Sequence, residues 1–205
     1  PGDTEISRAP PESPGPQHDE RCGHGKEPLF DFLKKNHPEL KVVHRLDFGT
    51  SGVIVFARTA AALRKIRATE FHGWVKRYRT LAAGRIERLE GTIERKLPAR
   101  TRDQLVDAVS HFKVLERFPV ASYVEVQIET GRKHQIRQHL KFIGHPLLMD
   151  PLYGNETLDR AFRKHFHYHR FFLHAISLDF PHPMTGKMLH IEAPLPPSFE
   201  KVLRE

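Results

Sequence analysis

Between residues 122 and 130 the chain alternates strictly, and no other feature limits its fold as much. Val124, Val126 and Ile128 fall on one side, and Tyr123, Glu125, Gln127 and Glu129 on the other. Side chains reverse direction at each residue of an extended chain, so this pattern predicts a strand with one apolar and one polar face. Residues 106–116 precede it across Phe118-Pro119, which predicts a hairpin. The second arm then delivers the chain to Gly131, where the period changes. Ile136, Leu140 and Ile143 recur at helical spacing, with Gly144 as the stop.

Other segments follow the same logic. Leu29, Phe30, Phe32 and Leu33 predict a short helix closing before Pro38. Residues 53–57, all apolar, read as a buried strand. Thr59 is placed to cap a helix that turns Leu63 and Ile66 inward. Strands are expected at 77–83, near 92–96, at 171–180 and at 188–191, with a closing helix at 198–203. Many strands and few regular helices predict an α+β class, a mainly antiparallel mixed sheet flanked by helices and loops. Residues 1–25 are rich in Pro, Gly, Asp, Glu and Ser and read as a flexible arm; residues 26–205 read as one folded domain.

Composition narrows the partners. Lys and Arg number 33 against 25 Asp and Glu, a formal charge of +8, which makes a polyanion such as RNA the first partner to test. Cys22 is the only cysteine, so neither an internal disulfide nor a zinc ribbon is available. No apolar run is long enough to predict a membrane helix. The chain is expected in the cytoplasm as a monomer, with the mitochondrion as the alternative if a transit peptide has been removed.

Two polar motifs carry the chemistry. The first is His44-Arg45-Leu46-Asp47-Phe48-Gly49-Thr50-Ser51-Gly52 and the second Gly131-Arg132-Lys133-His134-Gln135-Ile136-Arg137-Gln138-His139. Asp47 sits ahead of a glycine-bounded turn, and Arg45 shares its side if the segment is extended. Taken alone, Asp47 reads more often as a turn aspartate bonded to its own backbone. Arg132, His134 and Arg137 lie at a helix start, where N–H groups and cationic side chains favour anions. Arg137 adjoins core-like Ile136 and Leu140. A buried guanidinium needs a carboxylate, with Asp47 as the expected partner and Glu125 or Glu129 as alternatives. Lys76 and Tyr78 share one strand face, a cation beside an aromatic ring. His165, His167 and His169 would align on a strand, yet no cysteine or acidic residue is spaced to complete a metal site, and none is expected. Neither a P-loop nor a Gly-x-Ser-x-Gly elbow is present.

In order along the chain, His44-Arg45-Leu46-Asp47 with Thr50-Ser51-Gly52, Lys76-x-Tyr78 with Gly84, and Gly131-Arg132-x-His134-Gln135-Ile136-Arg137-x-His139 resemble the RluA-type pseudouridine synthases. The resemblance continues through Gly144-His145-Pro146, Asp150-Pro151-Leu152-Tyr153-Gly154 and Leu173-His174-Ala175, over residues 40–195. It implies a pseudouridine synthase catalytic domain at 26–205 that isomerises uridine in ribosomal or transfer RNA with one essential aspartate and no cofactor. By that resemblance Asp47 is the essential residue, either attacking C1′ or removing the 2′ proton. Tyr78 packs on the uracil, Arg137 orients Asp47, Arg45 fills the space the uridine vacates, and Leu173 lines the uracil pocket. His44, Lys76, Arg132, His134 and Gln135 are the further RNA-contacting residues expected. Three departures stand out: the family's early Asn-Lys-Pro-x-Gly segment is replaced by the Pro-rich arm, Lys133 stands where a small hydroxyl residue is usual, and Met149 where glycine is usual. The competing readings are an RNA-binding module of the same fold without catalysis, and a histidine-dependent metal hydrolase.

Overall fold

The computed structural model describes residues 28–99, 104–167 and 170–205. The expected arm at 1–25, Cys22 and His169 lie outside the described residues. The chain divides into two units, one ending at Pro38 and one from Glu39 onward. In the first, α1 (Leu29–Asn36) forms as expected, with Asp31 in its first turn and Lys34 and Lys35 in its last, the arrangement that suits the helix dipole.

The second unit is built on one sheet. Its short leading strands are β1 (Lys41–Val42), β2 (Ser51–Gly52) and β3 (Phe56–Ala57), followed by α2 (Ala60–Ala68). Then come β4 (Val75–Ala83), β5 (Glu90–Glu94), β6 (Leu97–Pro98), β7 (Leu105–Val106), β8 (Val109–Arg117) and β9 (Ala121–Ile128). The second polar motif opens α3 (Gln135–Phe142), followed by α4 (Glu156–Phe166), β10 (Leu173–Pro181), β11 (Met188–Glu192) and α5 (Pro197–Arg204). The sheet order is β11-β10-β4-β9-β8-β5, every neighbour antiparallel, with β2 added parallel to β10. This is the mixed, mainly antiparallel α+β sheet expected. The 106–116 arm is broken after Val106, and its sheet strand, β8, starts at Val109.

The alternation read at 122–130 holds over 124–128; Tyr123, expected on the polar face, is buried in the main core, and β9 ends at Ile128. Val124, Val126 and Ile128 are almost fully buried, and they pair with Thr80, Tyr78 and Lys76 on one side and with Val114, Phe112 and Ser110 on the other. Ile136 and Leu140 of α3 join the same apolar cluster. Burying side chains of this size stabilises by roughly 1.5–3 kcal/mol each. A second cluster gathers Val43, Val53, Ile66, Trp74 and Phe180 beneath α2, whose cap is the one expected: Thr59 Oγ1 accepts the N–H of Ala62 at 3.1 Å.

Two expectations need correction. Residues 53–57 do not form a continuous strand. Val53 N–H donates to the carbonyl of Ala175 at 2.9 Å and Val55 N–H to His44 Nε2 at 3.1 Å, so residues 53–55 lie between β2 and β3 and only Phe56 and Ala57 are in a strand. The histidine ladder also fails: His165 lies in the last turn of α4, and His167 is its left-handed cap at φ 51°. Helix α4 carries a readable signal of its own. Asn155 Oδ1 accepts the N–H of Leu158 at 3.1 Å, acidic residues occupy the first turn, and Leu158, Phe162 and Phe166 recur every fourth residue and pack on the core.

Candidate active site

The site lies where the loop between β1 and β2 meets the edge of β10. Ala175 is paired with Tyr78 of β4 on one side and with Gly52 of β2 on the other. Gly52 has φ +108°, and a Cβ there would lie 2.2 Å from the carbonyl oxygen of Ala175, so only glycine permits this approach. The loop is thereby clamped against β10 at the level of Tyr78. Ser51 Oγ bonds His174 Nδ1 at 2.8 Å and strengthens the clamp. Upstream, Thr50 N–H donates to the carbonyl of Asp47 at 2.9 Å, closing the turn that presents the aspartate.

Arg137 stands opposite Asp47. It projects from the start of α3 and its side chain is only 6% exposed, because its neighbours Ile136 and Leu140 belong to the core. Asp47 Oδ2 lies 3.6 Å from Arg137 Nη1. The expectation that Asp47 is the principal partner of Arg137 is corrected, however. Asp150, fully buried, takes Arg137 Nε at 2.6 Å and Nη2 at 2.7 Å in a two-pronged pairing. The alternatives fare no better, since Glu125 pairs with Arg79 at 2.7 Å. Burial would make Arg137 easier to deprotonate, but the Asp150 hydrogen bonds and the charges of Asp150 and Asp47 outweigh it and hold the guanidinium above its ordinary range. Asp150 Oδ1 also accepts the N–H groups of Leu152 and Tyr153 at 2.9 and 3.0 Å. Sequence reasoning assigned Asp150 no part. The available signal was its position at the head of Asp-Pro-x-Tyr-Gly, a turn whose carboxylate caps its own backbone. The rings of Phe171 and Tyr153 complete the wall around the guanidinium, with centroids 4.8 and 5.1 Å from Arg137 Cζ.

His44, Lys76 and Tyr78 line a small pocket with Val53 and Ala175, beside the clamp. Burial, then the negative charge of Asp47, pushes the Tyr78 phenol up to about 12, so it stays protonated and feels the carboxylate. Burial pulls the Lys76 ammonium down to about 8, and its Nζ lies 5.5 Å from the Phe71 ring centre. His44 is pulled down to about 4, by burial first and by Lys76 second. It is a neutral acceptor for Val55 N–H, a role that ties the chain.

His134 approaches from the other side. Its Nε2 lies 4.0 Å from Asp47 Oδ1 and its Nδ1 3.2 Å from the hydroxyl of Tyr153. Burial lowers its pKa against the opposing pull of Asp47. Gln135 is placed otherwise than expected. It is 3% exposed, and its amide donates to the Val109 carbonyl and Ser110 Oγ while accepting from Thr130 Oγ1 and Arg132 N. With those bonds made it shapes the turn and has no surface to offer RNA. Arg45 and Arg132 are exposed. Leu173 is buried in the main core, opposite Thr80, one alternation step beyond the Ala175–Tyr78 pair. Met149, where the resembled family has glycine, adopts φ +64°, the conformation glycine favours. No group of three potential metal ligands occurs among the described residues.

The arrangement brings one carboxylate within 3.6 Å of its guanidinium counter-charge and near enough to a protonated phenol to raise its pKa, and that phenol shares a small pocket with an ammonium. That set can hold a planar base against Tyr78, carry a phosphate on Lys76 and engage a sugar carbon or proton with Asp47. A family model described as RNA pseudouridylate synthase matches residues 17–142. An uncharacterised RNA pseudouridine synthase of Chloroflexus aurantiacus is 37% identical over 200 residues, covering 89% of this chain and 61% of that protein. The ribosomal large subunit pseudouridine synthase D of Neisseria meningitidis serogroup B is 39% identical, covering 82% and 50% respectively. This chain therefore spans half to three-fifths of the length of these relatives. Among solved structures, human RNA pseudouridylate synthase domain containing 4 superposes with a TM-score of 0.70 at 25% identity, over 88% of this chain and 84% of that one. The corresponding human protein, domain containing 1, gives 0.69 at 26% identity, over 83% and 76%.

Proposed function

The chain belongs to the RNA pseudouridylate synthase family, in its RluA branch, and on that premise we propose that it isomerises uridine in RNA to pseudouridine with Asp47 as the essential group. The reaction breaks the bond from C1′ to N1, rejoins C1′ to C5, moves the C5 proton to solvent and protonates N1. Atoms are conserved and no electrons leave. One observation carries the reading: Asp47 is held 3.6 Å from a guanidinium that Asp150 immobilises, on a loop clamped beside Tyr78.

Each neighbour then has a task. Arg137 supplies a fixed positive charge 3.6 Å from the Asp47 carboxylate, which attacks C1′ or takes the 2′ proton. Tyr78 packs on the uracil, and its raised pKa keeps its hydroxyl a donor at neutral pH. Lys76 meets a phosphate or a uracil oxygen. Arg45, exposed on the same loop as Asp47, fills the place the uridine leaves, offsetting part of the few kcal/mol that extrusion costs. The Neisseria meningitidis relative is named for the ribosomal large subunit, so that RNA is the first substrate to try.

The test is tritium release from C5-labelled uridine in RNA. Asp47→Asn is expected to reduce release by about a thousandfold or more, with RNA binding retained. Undiminished release by that variant removes Asp47 from the role; wild-type protein that binds RNA without release overturns the enzymatic reading altogether.

A further inference from the structure

We propose that His134, backed by Tyr153, is a positioning residue that fixes the second oxygen of the Asp47 carboxylate, so that Asp47 is oriented from both ends. This rests on the isomerase reading above and adds to it. Arg137 addresses Oδ2, at 3.6 Å, and His134 addresses Oδ1, at 4.0 Å. At 4.0 Å a small rotation brings Nε2 into contact, and catalytic hydrogen bonds commonly shorten when substrate closes a site.

The surroundings form a closed circuit. Asp47 faces Arg137, Arg137 is gripped by Asp150, Asp150 accepts the N–H of Tyr153, the Tyr153 hydroxyl meets His134, and His134 returns to Asp47. The rings of His134 and Tyr153 meet edge to face at 5.7 Å, which fixes the plane in which Nε2 points. The Tyr153 ring in turn lies near the cations of Arg137 and Lys141. These contacts come from three separate segments that share only the aspartate and its counter-charge.

The backbone supplies an independent sign. His134 has φ +53° and precedes the first residue of α3 without making a side-chain cap. A side chain in the left-handed region is strained, and glycine fills such a position without that cost. Cap chemistry does not account for histidine here, because the ring meets Asp47 and Tyr153 and makes no bond to the helix N–H groups. The charged and titratable groups around it are Asp47, Arg137, Lys133, Asp150 and Tyr153. Burial, Arg137 and Lys133 favour the neutral ring, while Asp47 and Asp150 oppose them; the net shift is downward, so one nitrogen is free to donate to Asp47 while the other accepts from Tyr153.

Three variants test this, with thermal unfolding and tritium release measured on each. His134→Gly relieves the backbone and loses the ring, so its melting temperature stays near wild type. Its kcat falls by about a hundredfold with KM within about twofold, the signature of lost orientation. His134→Gln returns a donor near the position of Nε2 but keeps the strained backbone. It is expected to be less stable than the glycine variant and yet at least about tenfold faster. Tyr153→Phe lowers kcat by about tenfold, also without a change in KM. A merely structural histidine would make activity follow stability, the opposite order. A glycine variant within about threefold of wild-type kcat, or a glutamine variant no faster than glycine, overturns the inference. Wild-type protein without release fails the isomerase reading first and the inference with it, so the wild-type arm separates the two failures.

Discussion

The loop that carries Asp47 and the anchor that carries Arg137 are built in opposite ways. The loop is fixed at the level of its backbone: Gly52 against Ala175, Thr50 N–H on the Asp47 carbonyl, and Val55 N–H on His44. The carboxylate of Asp47 itself has no hydrogen bond among the described residues, only charges at 3.6 and 4.0 Å. The anchor is fixed at the level of its side chains. Arg137 is 6% and Asp150 0% exposed, joined by two bonds of 2.6 and 2.7 Å. The rigid member is the one that does not react. A carboxylate saturated with short charge-assisted bonds would be a poor nucleophile or base, whereas one near an immobile guanidinium keeps its lone pairs available beside a favourable charge.

Four perturbations probe this contrast. The largest effect belongs to the anchor. Asp150→Ala leaves Arg137 buried with only the more distant Asp47, and unfolding should become easier by about 3–5 kcal/mol. Calorimetry checks it, and a loss under about 1 kcal/mol would show that the anchor is not the rigid half. Next is the clamp. Gly52→Ala forces a Cβ onto the Ala175 carbonyl at φ +108°, and a loss of about 2 kcal/mol is expected together with reduced turnover. Thermal melts paired with tritium release read both effects.

A smaller effect comes from acid. His44 is held near 4 in the folded protein, below its ordinary value of 6.5, so the unfolded chain binds more protons between those values. Stability therefore falls as pH drops from 6.5 toward 4, because the unfolded chain gains a proton that the folded His44, neutral acceptor of Val55 N–H, does not take up. His44→Gln should flatten that stretch of the stability profile, read by thermal melts across the window. The smallest effect is expected at Phe48, which is 72% exposed on the same loop. Phe48→Ser should change stability by no more than about 0.5 kcal/mol, because the loop is held by its backbone and not by this ring. A larger loss would mean that the ring covers part of the loop.

Residue types and spacing marked Asp47, Arg137 and His134 in the two motifs and Lys76 and Tyr78 on a strand as candidates, and the family resemblance gave Asp47, Arg137 and Tyr78 their expected roles. Sequence reasoning also paired Asp47 with Arg137 through a sound rule, that a buried guanidinium needs a carboxylate. It chose the wrong principal carboxylate, because Asp150 lies thirteen residues from Arg137 on a turn with no periodic signal, and only packing brings the two together. Gln135 was assigned outward for a similar reason. Its amide is polar, but the turn at Thr130 and strand β8 consume its bonding capacity, and the sequence carries no mark of that consumption.

Alternation at 124–128, the Thr59 cap and the helical spacing after Gly131 are local: each follows from side-chain direction along one segment, and the sequence alone determines them. The fragmenting of residues 53–57 is different. That apolar run satisfies every local rule for a strand, yet its N–H groups are taken by Ala175 and His44, partners distant in the chain or set by the loop's shape. The same holds for the distances around Asp47. Which residues could meet was written in their types and spacing. How closely they meet, and which of them bears the bonds, was decided by the parallel junction of β2 with β10 and by the burial of Asp150, because such contacts exist only once segments far apart in sequence pack together.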